Sequence, residues 1–139
     1  MKLILDTNIF FSGIIKDSIT RKILLHPDYE FYIPDFFLNE LKKYKEYLIN
    51  KTGLEKLKFK QLLNDILENI YLVPFNEYSD KLMKAKEIIG NIDEKDIPFI
   101  AVALSFKNNG IWTDDKHFKE QSEVKIYSTK EIIVELGLE

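Results

Sequence analysis

The segment Lys2-Leu3-Ile4-Leu5-Asp6-Thr7-Asn8 places the tightest constraint on the fold. Its apolar residues run without alternation straight into an acid. A continuous apolar run suits a strand buried on both faces of a parallel sheet, because helices then cover both sides. Asp6 follows the last apolar residue, so it is expected where that strand leaves the sheet. Open α/β sheets bind ligands at the carboxyl ends of their strands. What matters next is whether later segments bring further acids to that edge.

The chain continues as strands alternating with helices. Ile9 to Ile15 reads as a short apolar helical turn, with Gly13 allowing close packing. A helix starts near Asp17–Thr20 and is stopped by His26-Pro27-Asp28. Tyr29–Ile33 reads as a second strand, ended by Pro34. Asp35 opens a helix to about Asn50, with Phe37, Leu38, Leu41, Tyr44 and Leu48 at helical spacing as its core face. After Lys51-Thr52-Gly53, a helix over 54–68 turns Leu57, Leu62 and Ile66 inward. Ile70–Val73 is the third strand. One amphipathic helix is expected over 77–89, closed by Gly90. Asp93-Glu94-Lys95-Asp96 starts a helix to about Lys107 that is apolar nearly all round, hence the most buried. Asn108-Asn109-Gly110 stops it. Ile111–Thr113 and Val124–Tyr127 are the last strands. Ser128 caps a final helix to Leu136, and Glu131 completes a capping box. This alternation predicts parallel βαβ units with right-handed crossovers.

The length, 139 residues, fits a single domain over 1–139. There is no cysteine, which excludes disulfides, thiolate zinc sites and a cysteine nucleophile. No apolar run nears the roughly 20 residues that span a bilayer, and the N-terminus lacks the pattern of a signal peptide. A cytoplasmic protein with no membrane partner is expected. The net charge of −3 argues against a generally basic nucleic-acid binder, although clustered metal-binding acids would account for that excess.

Asp6 ends strand one, and Asp114 and Asp115 end strand four. All three lie at one sheet edge and become neighbours if those strands are adjacent. Asp96 begins the helix that feeds strand four, Asp93 lies one turn earlier, and Glu40 sits two turns into the helix after strand two. Four to six carboxylates then converge. Packed like charges repel and raise one another's pKa, so such a cluster makes sense chiefly around a cation. An all-oxygen set suits Mg²⁺ or Mn²⁺. Such an ion can activate water and stabilise the leaving oxygen of a phosphodiester.

With these residues in hand, the chain resembles a PIN domain, the nuclease family that includes the toxins of VapBC toxin–antitoxin systems. Leu5-Asp6-Thr7-Asn8 resembles the family's opening motif. Pro34-Asp35-Phe36-Phe37-Leu38-Asn39-Glu40-Leu41 resembles the segment ending in its acidic Glu. Asp96 with Ile100-Ala101-Val102-Ala103 resembles its third acid and small-residue helix. Trp112-Thr113-Asp114-Asp115 with Phe118 resembles its Thr-x-Asp element. The resemblance implies a three-layer, Rossmann-like α/β/α fold with a five-stranded parallel sheet in order 3-2-1-4-5. It implies Asp6, Glu40, Asp96 and Asp115 as metal-holding catalytic acids, with Asp93 and Asp114 as auxiliaries. Thr7, Asn8 and Thr113 would hold the acids by hydrogen bonds. It further implies metal-dependent RNA cleavage, frequent homodimers and often a small inhibitory antitoxin.

Plainer readings stand beside these. Asp6, Asp93 and Asp96 are also good helix caps, and Pro98 places Asp96 at or near an N-cap. Glu40 is an ordinary helix former. The residues themselves do not separate Asp114 from Asp115. His117 reads as a surface helix residue, and Trp112 as core. Lys42, Lys43 and Lys45, with Lys51, Lys56, Lys58 and Lys60 beyond them, form either a phosphate-holding stripe or a solvated face. Two other function classes compete. A haloacid dehalogenase-type phosphatase needs a second Asp where Asn8 stands. An inert module binding RNA or protein would have no use for four retained acids.

Overall fold

The computed structural model describes residues 1–138. Five parallel strands form one sheet in the order β3-β2-β1-β4-β5: β1 (Lys2–Leu5), β2 (Glu30–Pro34), β3 (Ile70–Val73), β4 (Ile111–Trp112) and β5 (Ile126–Tyr127). Helices lie on both sides. They are α1 (Thr7–Ile15), α2 (Ile19–Leu24), α3 (Phe37–Thr52), α4 (Lys56–Leu67), α5 (Phe75–Tyr78), α6 (Leu82–Ile89), α7 (Ile97–Ser105) and α8 (Thr129–Leu136). The order reverses at β1, which pairs with β2 on one side and β4 on the other. Opposite crossovers leave the sheet there, so a crevice opens at the carboxyl ends of β1 and β4.

The central strands are covered on both faces. Leu3, Ile4, Leu5, Phe31, Ile33, Ile111 and Trp112 are fully buried. Leu5 lies opposite Trp112 in register, which brings the two strand ends level. The burial of α7 is as its apolar sequence predicts: Ile100, Ala101 and Val102 are fully buried. No described helix is long and apolar enough to cross a membrane.

Several local expectations are corrected. Leu38 and Tyr44 do not belong to the core face of α3, and Leu57 does not turn inward from α4; all three are exposed. Phe37, Leu41 and Leu48 bury α3, while Phe59 and Ile66 bury α4. Apolar spacing marks a stripe wider than the neighbouring elements cover. The segment before Gly90 is not one helix. Buried Tyr78 ends α5, and a 3₁₀ turn over Ser79–Lys81 redirects the chain before α6 buries Ala85 and Ile89. Gly90 is right-handed at φ −60°, not left-handed; a Cβ there would meet the carbonyl oxygen of Lys86 at 2.6 Å. Crowding, not a left-handed turn, accounts for glycine at that position. The helix expected from Asp93 to Lys107 is a 3₁₀ turn over Glu94–Asp96 followed by α7, which ends at Ser105.

The Asn108-Asn109-Gly110 stop seats β4. Asn108 Nδ2 donates to the carbonyls of Ala103 and Phe106, capturing the orphan end of α7. Asn109 Oδ1 accepts from the Lys2 amide, and Ile4 donates to the Gly110 carbonyl, both at 2.8 Å. Gly110 has φ +126°, and a side chain there would run into the Lys125 carbonyl. At the far end, Ser128 and Glu131 form the reciprocal capping box of α8.

Candidate metal centre

Asp6 leaves β1 as the N-cap of α1, so strand end and helix start aim one carboxylate into the crevice. Its Oδ1 accepts from the Asn8 amide at 3.3 Å, and its Oδ2 accepts from Thr113 Oγ1 at 2.7 Å. Thr113 is 1% exposed and follows β4, so this second bond ties the two adjacent strand ends together. Burial raises the Asp6 pKa against these two hydrogen bonds, and the charges of Asp115 and Asp114 add to the rise.

Asp96 ends the 3₁₀ turn before α7 and is 6% exposed. Pro98 in the first helical turn has no N–H to offer its carboxylate. Asp96 Oδ2 is buried without a hydrogen-bond partner, and no side-chain cap bond is made. Burial lifts its pKa to about 7, with the charges of Asp93, Asp115 and Asp6 adding and His117 opposing.

Asp93 and Asp115 each cap a 3₁₀ turn. Asp93 Oδ1 accepts from the Lys95 amide and Asp115 Oδ1 from the His117 amide, both at 3.0 Å. The Asp115 amide donates to Thr113 Oγ1 at 3.0 Å. One hydroxyl thus positions Asp6 and the start of the Asp115 turn together. Glu40 lies in the first turn of α3, which begins at Phe37 rather than Asp35, not two turns into the helix as expected, and it lines the same cleft. Burial and then the Asp6 charge raise its pKa, opposed by Lys43 and Lys95. The cleft encloses about 750 Å³ and holds Asp6, Glu40, Asp93, Asp96 and Asp115 in its lining.

Asp114 and Asp115 do different things. Asp114 turns to α8: Oδ1 accepts from the Thr129 amide at 2.7 Å, and Oδ2 from the Thr129 hydroxyl at 2.6 Å. It lines a smaller adjoining cleft with Asp6 and Asp115. Thr7 and Asn8 do not hold an acid through their side chains. Thr7 Oγ1 is buried and unpartnered, and Asn8 serves Asp6 through its backbone. Lys43 lines the main cleft, whereas Lys42 and Lys45 stand on exposed parts of α3 outside it.

Among the described residues, Asp93, Asp96, Asp115 and His117 each bring one ligating atom to within 4.8 Å of the others. His117 joins this group although its sequence reads as a surface helix residue, and Glu94 and Lys95 line the cleft beside the acids. The only signal for His117 is its position two residues after an acid that caps a turn. The unpartnered Asp96 oxygen and the mutually repelling acids fit a divalent cation, which would supply the missing partner and relieve the repulsion.

A family model described as PIN domain matches residues 4–137. A comparison with curated proteins finds no match.

Proposed function

The chain belongs to the PIN domain family, and from that premise we propose that it is a metal-dependent endoribonuclease that hydrolyses RNA phosphodiester bonds. The observation that carries this reading is the buried, unpartnered Oδ2 of Asp96 beside Asp6, Asp93 and Asp115. Asp6, Glu40, Asp96 and Asp115 would hold Mg²⁺ or Mn²⁺. When bound, such an ion supplies a water of lowered pKa and charge stabilisation for the departing oxygen.

The protein's own groups set the geometry. Thr113 fixes Asp6 and the Asp115 turn through one hydroxyl. Asp93 closes the turn that presents Asp96. Lys43 and Lys95 line the cleft and offer positive charge to flanking phosphates, which gives affinity without sequence readout. Lys42 and Lys45 would extend that track along α3. The proposal takes the chain as one domain acting in the cytoplasm. It includes a toxin role, a small antitoxin partner and a homodimer. Exposed Leu38, Tyr44, Tyr47 and Leu57 on α3 and α4 support a protein-contact face.

The test is cleavage of structured and single-stranded RNA with Mg²⁺, with Mn²⁺ and with chelator, beside calorimetric cation titration. Metal-dependent cutting, abolished by Asp6→Asn and by Asp96→Asn, is the expected result. A wild type that cuts no RNA with either ion and binds neither would instead be an inert RNA- or protein-binding module.

A further inference from the structure

We propose that His117 contributes an imidazole nitrogen to the cation position formed by Asp93, Asp96 and Asp115, and thereby makes that position prefer Mn²⁺ to Mg²⁺. The inference rests on the metal-holding role proposed above and adds a residue and a selectivity to it.

His117 Nδ1 lies 3.5 Å from Asp115 Oδ1 and 3.7 Å from Asp93 Oδ2. Both separations exceed a good hydrogen bond. Adjacent ligands of an octahedral ion at about 2.1 Å lie about 3 Å apart, so a small inward movement lets these atoms share one ion. The backbone already aims the ring. The His117 amide is bonded to Asp115, and fully buried Phe118, packed edge-on against Phe99, anchors the same turn. The fourth member, Asp96, is 6% exposed and brings a buried oxygen that no protein group satisfies. An imidazolium resting between two acids would leave that oxygen unpartnered, whereas a shared cation satisfies it.

The selectivity follows from the donors. Mg²⁺ is hard, retains water and takes oxygen ligands. Imidazole suits the first-row transition metals, among which Mn²⁺ also accepts carboxylates. Three carboxylates with one imidazole therefore favour Mn²⁺ more than carboxylates alone do.

The test is pulsed electron paramagnetic resonance of Mn²⁺ added to the whole protein, with histidine labelled with ¹⁵N in a parallel sample. The chain has only two histidines, and His26 precedes β2 at the opposite end of the sheet. Nitrogen coupling that changes on labelling and vanishes in His117→Ala is the expected result. The ratio of Mn²⁺ to Mg²⁺ affinity should fall about tenfold in the same variant. His117 is exposed, and alanine keeps the amide bond to Asp115, so the fold tolerates the change. Bound Mn²⁺ without nitrogen coupling overturns the role of His117 while the acidic cleft stands as a metal site. Absence of any bound Mn²⁺ overturns both.

Discussion

Thr113 Oγ1 donates to Asp6 Oδ2 at 2.7 Å across 107 residues of chain. The same oxygen accepts from the Asp115 amide at 3.0 Å. A single buried hydroxyl thus joins the end of β1, the end of β4 and the turn that carries a third element of the acidic cleft. Thr113→Val keeps the shape and removes both bonds, leaving a buried carboxylate oxygen and an amide short of partners. The variant should lose about 1–3 kcal/mol of stability. It should also weaken cation binding. Denaturant unfolding and calorimetry measure the two effects, and unchanged values in both would show that the bridge is incidental.

Asp114 and Asp115 should separate cleanly. Asp114 serves the Thr129 amide and hydroxyl, and Trp112 Nε1 donates to that same hydroxyl at 2.9 Å. Asp114→Ala should therefore cost about 1–2 kcal/mol of stability, as for a lost cap, with cation affinity largely kept. Asp115→Asn retains an oxygen for the His117 amide and loses the charge. It should keep stability and lose cation affinity. The opposite pairing of effects would assign the ligand role to Asp114.

The metal-free protein should lose stability as pH rises. Asp96 has a folded pKa of about 7 against an ordinary 3.8, so the folded state holds its proton more tightly than the unfolded chain does. Its contribution is most favourable below about pH 4 and is lost as pH climbs through 7. Asp6 and Glu40 are raised in the same direction. Glu131 acts oppositely, lowered to about 2 by Lys119 and Ser128, but only in more acidic solution. In chelator, unfolding free energy should drop by about 1–3 kcal/mol between pH 5 and 7.5. Asp96→Asn should flatten that drop while abolishing cation binding. A wild-type profile already flat over this range contradicts the assignment.

Gly110→Ala tests how β4 is seated. The φ of +126° and the adjacent Lys125 carbonyl leave no room for a methyl group. Thermal unfolding should show a loss of about 2 kcal/mol or more. Because Gly110 also accepts from Ile4, the misfit should spread to the β1–β4 pair and blunt cation binding at its far end.

The strand-end position of Asp6, the burial of α7 and the Ser128–Glu131 cap were legible because each rests on neighbours in sequence. An apolar run, an apolar helix and a four-residue capping pattern carry their own physical reason. The outward turn of Leu38, Tyr44 and Leu57 was not legible, nor was the burial of Phe59. Helical spacing specifies a stripe, but the packing partners select which edge of it is covered. The break within the segment before Gly90 depended likewise on where Tyr78 could be buried.

The same division holds for the acidic cleft. Sequence alone determined that several acids stand at the ends of parallel strands and the starts of helices, because strand direction decides which end of each segment meets the shared edge. Tertiary structure decided which of them meet. Adjacent Asp114 and Asp115 diverge because a turn begins between them, sending one carboxylate to Thr129 and the other to the cleft. Asp93 and His117, 24 positions apart, come within 3.7 Å because the fold brings together the 3₁₀ turn that Asp93 caps and the one that carries His117. Local pattern sets where a side chain starts. The direction in which it points depends on turns and packing contributed by residues far along the chain.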